Sequence, residues 1–178
     1  MISGDGWARR RVEVRALLDA WPSIPAFLRD RHMTVIAANP LARAVSPGFA
    51  EGVNLVRYLY LDPSAGPGYE GFDQMAMQVT ADLRDSLEQH GEDGWFRRLV
   101  GELSTASEHF ATQWASESPP DHTGVLPVRH DQVGPMTLSY HQLRIPDDYE
   151  DVLVVFSPAD DESRRSLARL ADLVAQDH

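Results

Sequence analysis

The stretch from Thr123 to Asp160, TGVLPVRHDQVGPMTLSYHQLRIPDDYEDVLVVFSPAD, limits the fold more than any other part of the chain. It reads as three strands joined by two turns. The first, Val125 to His130, contains Pro127, which cannot donate to a ladder and so belongs at a sheet edge. Asp131 to Gly134, followed by Pro135, supplies turn chemistry. Met136, Leu138 and Tyr140 then alternate with Thr137, Ser139 and His141, the period of two expected of a strand. The later apolar residues Leu143 and Ile145 fall on the other parity, which predicts a bulge or twist near Gln142. Pro146-Asp147-Asp148 turns the chain again. Val152 to Phe156 is apolar throughout, short and β-branched, which predicts a strand covered on both faces in the middle of the sheet. Edge strand, alternating strand and central strand in succession make an antiparallel meander that the rest of the chain must cover.

The chain is long enough, at 178 residues, for one domain with a substantial core. Its 16 basic residues are all arginine and face 27 Asp and Glu, a net charge of −11, which makes this chain a poor partner for phosphate backbones on its own. Cysteine is absent, which removes disulfides, thiolate metal sites and thiol nucleophiles. The seven histidines fall in no H-x-x-x-H or H-E-x-x-H spacing, and no nucleophile elbow, P-loop or dinucleotide fingerprint is present. The expectation is a protein that is neither an enzyme nor a metalloprotein and has no cofactor. No apolar run approaches membrane-spanning length and the N-terminus has no signal-peptide pattern, so a cytoplasmic location is expected.

Ahead of the meander, Trp7, Val14, Leu17, Leu18 and Trp21 recur at helical spacing, opposite Arg9-Arg10-Arg11. Trp21-Pro22 ends that helix. Ile24 to Arg29 and Met33 to Ala38 read as two short strands around Asp30-Arg31-His32. Asn39-Pro40 starts a short helix, with Asn as N-cap and Pro at the first helical position, and Ser46-Pro47-Gly48 stops it. Asn54 caps another, Leu55 to Leu61, which Asp62-Pro63 ends before the loop Ser64 to Gly68. Two long amphipathic helices follow, one marked by Phe72, Met75, Ala76, Val79, Leu83 and Leu87. The other is marked by Phe96, Leu99, Val100, Leu103, Ser107, Phe110 and Trp114. Leu167, Leu170, Leu173 and Val174 mark a C-terminal helix from about Asp161, with acidic residues in its first turn.

Helix, two strands, four helices, three strands and a helix is the chain order of a PAS-like α+β domain with a five-stranded antiparallel sheet. In that arrangement the first and last strands are central and the second and third lie at the edges. The expected organisation is a connector helix over 1–22, a PAS-like ligand-binding domain over 23–160, and a C-terminal helix over 161–178. Such a domain holds a pocket between one sheet face and the helices crossing it.

Several short motifs fall along this frame in a consistent order. They are Pro25-Ala26 through Asp30-Arg31; Asn39 with Leu41-Ala42; and Asn54 and Arg57 leading into Leu61-Asp62-Pro63 and Tyr69. Leu103-Ser104, Ser107, Phe110 and Trp114 follow, then Gly124, His130, Gly134, Leu138, Tyr140, Leu143, Pro146 and Leu153. Over roughly Ala16 to Leu173 the sequence resembles the ligand-binding domain of MmyB-like transcription regulators, the C-terminal half of bacterial helix-turn-helix proteins. The resemblance implies a sensor that binds a small apolar molecule such as a fatty acid, in a protein whose DNA contacts belong to a preceding helix-turn-helix. Residues 1–20 hold at most one helix, so this chain reads as a fragment of such a regulator or a stand-alone sensor. Two departures stand out: Gly71-Phe72 where the family usually has Asp-Trp, and His130-Asp131 where it usually has His-Pro.

Candidate ligand contacts each have a structural counterpart. Arg57, among Leu55, Val56, Tyr58 and Leu59, offers a planar fork of donors to a ligand carboxylate, or else pairs with Asp62 or reaches solvent. Asn54 is a cap or a ligand contact, and His130 donates to a ligand or to a backbone carbonyl. His141 shares a parity with Thr137 and Ser139, which faces either solvent or a polar part of the pocket. Met75 belongs to a helical stripe that is mostly core but must also supply pocket lining, and Phe110 and Trp114, one turn apart, are the favoured lining pair. Tyr140 completes the candidate set. A second reading is a dimerisation or protein-interaction module with an empty cavity, in which the Trp7–Trp21 and C-terminal helices form a homodimer interface.

Overall fold

The computed structural model describes residues 4–65, 71–145 and 150–177. Tyr69, most of the Ser64–Gly68 loop and the Pro146-Asp147-Asp148 turn lie outside the described residues, as does the side chain of Trp7. A five-stranded antiparallel sheet is the framework. Its strands are β1 (Ala26–Arg29), β2 (Val35–Ala38), β3 (Thr123–His130), β4 (Gly134–Arg144) and β5 (Val152–Pro158), in the spatial order β2-β1-β5-β4-β3. The all-apolar β5 is the central strand, and Pro127 sits on the edge strand β3, where its missing N–H breaks no interior ladder.

Helix α1 (Gly4–Asp19) precedes the sheet. Between β2 and β3 come α2 (Pro40–Val45), a 3-10 turn (Pro47–Phe49), α3 (Leu55–Leu61), α4 (Phe72–His90), α5 (Gly94–Ala106) and α6 (Glu108–Ala115); α7 (Asp161–Gln176) closes the chain. The caps read from sequence are in place. Asn39 Oδ1 accepts from the Ala42 amide at 2.9 Å, and Asn54 Oδ1 from the Arg57 amide at 3.1 Å. Asn39 also accepts from the Ala26 amide and donates to the Trp21 and Ile24 carbonyls, so one buried side chain joins α2, β1 and the segment after α1.

Two elements differ from the sequence expectation. The helix expected over Phe96–Trp114 is two helices. Ser107 leaves the helical conformation and its hydroxyl caps α6 by accepting from the Phe110 amide at 3.1 Å. The bulge expected near Gln142 is absent, since β4 pairs with β5 in unbroken register from Leu138 to Arg144. Gln142 therefore shares a face with Met136, Leu138 and Tyr140, while Leu143 faces the other way and is 48% exposed. A register shift occurs instead between Leu28 and Arg29, where β1 pairs with β2.

The two faces of β1 do different jobs. Ala26 and Leu28 pack with Ala37 and Leu153 beneath α1, whose Val14 and Leu18 cover them; Leu17, of the same expected stripe, is 42% exposed. Phe27 and Arg29 point the opposite way, toward the helices of the excursion. On that side Phe27, Phe49 and Phe156 form an aromatic group with centroids 4.8–6.0 Å apart. Helix α7 closes the same core through Leu167 and Leu170, and its Ser163 hydroxyl accepts from the Thr137 amide at 2.8 Å. Behind α3 and α4, Phe96, Leu99, Leu103 and Phe110 form a second core with Val56 and Leu83.

Candidate ligand-binding site

A cavity of about 380 Å³ lies between the inner sheet face and the helices α3 and α4. That volume is in the lower range of sites for small organic molecules. Phe27, Val154, Phe156, Leu126 and Val128 contribute from the sheet, Val45 and Phe49 from the segment after β2, and Leu55, Tyr58 and Leu59 from α3. Helix α4 presents Met75, Gln78, Val79 and Asp82, a series at i, i+3, i+4 and i+7 that puts two apolar and two polar side chains on one stripe.

One end of the cavity holds a buried polar cluster, while Ser46, Gln74, Arg129 and Asp131 also belong to the lining. Arg29 and Asp82, only 4% and 5% exposed, are 3.9 Å apart. Gln142 links them, accepting from Arg29 Nη2 at 3.3 Å through Oε1 and donating to Asp82 Oδ2 at 2.6 Å through Nε2. Gln78 donates to the other carboxylate oxygen at 3.0 Å. Both carboxylate oxygens thus receive amide N–H groups, while among the described residues Arg29 donates only to Gln142 and, at 3.4 Å, to the Asp30 carbonyl. Burial pushes the Arg29 guanidinium below its usual range, opposed by Asp82 and Asp30. Burial likewise pushes Asp82 up, opposed by Arg29 and the two glutamine amides. Tyr140, two residues before Gln142 on the same face, is pushed up to about 12 by burial and then by the carboxylates of Asp82 and Asp121.

Room for the Tyr140 ring comes from Gly124, its cross-strand partner: a Cβ there would stand 2.6 Å from the tyrosine oxygen. Gly71, of the Gly71-Phe72 departure, caps α4 with φ near +80° and lines the cavity against Pro127. Asp131 lines it as well.

Of the seven residues singled out from sequence, Met75 and Tyr140 line this cavity. Arg57 lies outside its lining: its guanidinium makes a two-pronged pair with Glu102, the shortest bond 2.6 Å, and stacks over Trp95 at 5.3 Å. Asn54 spends its amide on the His32 carbonyl and the Thr34 hydroxyl, at 2.7 and 3.1 Å. The His130 ring, with Nε2 2.9 Å from the Ala44 carbonyl, ties the end of β3 to α2. Phe110 and Trp114 stack on each other in the second core, with Arg84 over the Trp114 ring. His141 is exposed to solvent. Sequence reasoning missed Arg29, Asp82 and Gln142. The available signal was parity, because Arg29 follows the core residue Phe27 by two positions on a strand.

The family model of the MmyB-like transcription regulator ligand binding domain matches residues 11–170. The chain belongs to that family. This MmyB-like domain is thus a ligand-binding domain of a transcription regulator with a PAS-like sheet order. Among solved structures, the PAS domain of Bordetella pertussis BvgS is similar at 10% identity and a TM-score of 0.38, with 94% of this chain and 98% of that one covered. A search of the curated proteins gives no match. No described helix is long and apolar enough to cross a membrane, and no described group of His, Asp and Glu has the arrangement of a metal site.

Proposed function

We propose that this MmyB-like domain is the sensing half of a cytoplasmic helix-turn-helix regulator, and that it binds one small, mostly apolar, fatty-acid-sized molecule in the cavity between the sheet and α3–α4. The observation that supports this reading most is the cavity itself, with apolar walls from three layers of structure and a buried, hydrogen-bonded polar cluster of Arg29, Asp82 and Gln142 beside Tyr140. Pockets of that composition orient an apolar body by a few fixed polar groups. Strand β1 separates the cavity from α1: Phe27 and Arg29 face the ligand space, and Ala26 and Leu28 face the helix. A ligand touching Phe27 would favour one seating of α1, which Arg11 also ties to the buried Asp151 at 3.2 Å. Its effect on the attached DNA-binding domain equals its differential affinity for the two seatings and no more.

The test is native mass spectrometry of the purified protein, followed by organic extraction and thermal-shift measurements with a lipid panel. The expected result is a bound lipid-like molecule at one per chain, or a saturable shift with chain-like ligands. A protein that is empty and unresponsive to the whole panel would contradict the reading and favour an interaction module.

A further inference from the structure

The polar end of the cavity has a charge balance that narrows the chemistry of the ligand, an inference that rests on the ligand reading above. At Arg29 and Tyr140 the groups still open to a ligand are N–H and O–H donors, while Arg129 and Asp131 line the cavity toward the other end of β3. Arg29 keeps N–H groups beyond its two long hydrogen bonds, and among the described residues nothing bonds the Tyr140 hydroxyl. A ligand atom placed there is therefore an acceptor oxygen. The positive charge of Arg29, however, is already balanced by Asp82 at 3.9 Å, and Asp121 adds a second carboxylate to the lining. A carboxylate entering this end would gain the attraction of Arg29 and suffer repulsion of the same order from Asp82. The desolvation of the anion would then be left without compensation. A carbonyl or hydroxyl oxygen accepts the same hydrogen bonds at a far smaller desolvation cost.

We propose that the polar end selects an uncharged oxygen acceptor (the carbonyl of an ester, ketone or protonated acid, or an alcohol) over a carboxylate, and that Asp82 is the residue that rejects the anion. Asp82 is placed for this by groups from every neighbouring element. Arg29 faces it from β1, Gln142 and Tyr140 from β4, Gln78 from its own helix, and His122 from the segment before β3. Asp30, Arg144 and Asp85 act on its partner Arg29. Fatty acids bind under this scheme in their protonated form.

The test compares decanoate, methyl decanoate and decan-1-ol by calorimetry with the wild-type chain and with Asp82→Asn. At about pH 8, where a free carboxyl is fully ionised, wild type binds the ester and the alcohol at least ~10-fold more tightly than decanoate. The difference narrows toward about pH 5 as the acid protonates. Any apolar pocket disfavours an anion, so the deciding result is the variant. Asp82→Asn leaves Arg29 without its counter-charge and strengthens decanoate binding by at least ~10-fold relative to the ester. Decanoate equal to the ester in wild type at about pH 8, or an unchanged ratio in a folded Asp82→Asn, overturns the proposal while leaving the cavity reading intact. If that variant fails to fold, Asp82→Ser, which removes the same charge with a smaller side chain, takes its place, with the same two outcomes deciding. Binding of none of the three probes overturns both.

Discussion

A single carboxylate, Asp93, holds together the turn after β1 and the start of α5. Its Oδ1 accepts from the Trp95 and Phe96 amides, both at 2.9 Å, and its Oδ2 meets Arg31 at 3.0 Å and the His32 ring at 2.9 Å. Burial raises its pKa, but the Phe96 amide, the His32 ring and the Trp95 amide together outweigh that and bring it down to about 2. A carboxyl whose folded pKa is depressed stabilises the fold above its unfolded pKa, and that stabilisation is lost as pH falls through the folded value. We expect Asp93→Ala to lower unfolding stability by about 1–2 kcal/mol at neutral pH in denaturant melts. It should also flatten the acid slope between about pH 4 and pH 2; a slope equal to wild type would show that other groups set it. Caps of this kind are legible in sequence because the side chain and its amides lie within a few residues. The Arg29–Asp82–Gln142 group was not, because its members come from three distant elements and charged residues ordinarily read as a solvated face.

Among the elements, the breaks were harder to read than the periods. The series Leu103, Ser107, Phe110, Trp114 keeps its helical rhythm across the gap between α5 and α6, and only the capping capacity of Ser107 betrays the break. On β4 the apolar Leu143 suggested a change of face, yet the strand holds its register and turns the polar Gln142 inward to serve Arg29 and Asp82. The entry to α4 depends on Gly71, where φ is near +80° and an added Cβ would stand 2.4 Å from Pro127 Cγ. Left-handed backbone costs an L-residue about 1–2 kcal/mol before any clash. Gly71→Ala should therefore lower stability by about 2 kcal/mol or more in thermal or denaturant unfolding, with the edge strand β3 pushed from α4. A neutral result would mean that neither the conformation nor the contact is fixed.

At the scale of the molecule, the edge place of β3 and the central place of β5 followed from local features, a proline and an unbroken apolar run, and the rest of the strand order from the PAS-like succession of elements. The cavity did not follow, because lining and core use the same residue types: Met75 lines it while Phe110, one helix away, is solid core. The five methionines separate these cases. Met33, Met75 and Met77 line the cavity; Met136 is buried on the same sheet outside the lining, and Met1 lies in the N-terminal segment. The most direct measurement of a ligand in this cavity is the set of methionine methyl NMR signals, titrated with methyl decanoate. Saturable shifts are expected at Met33, Met75 and Met77, complete at one equivalent, with Met136 changed less than these three. A shift confined to Met136, or no shift at any of these four despite bound ligand, would place the ligand elsewhere and contradict a ligand in this cavity.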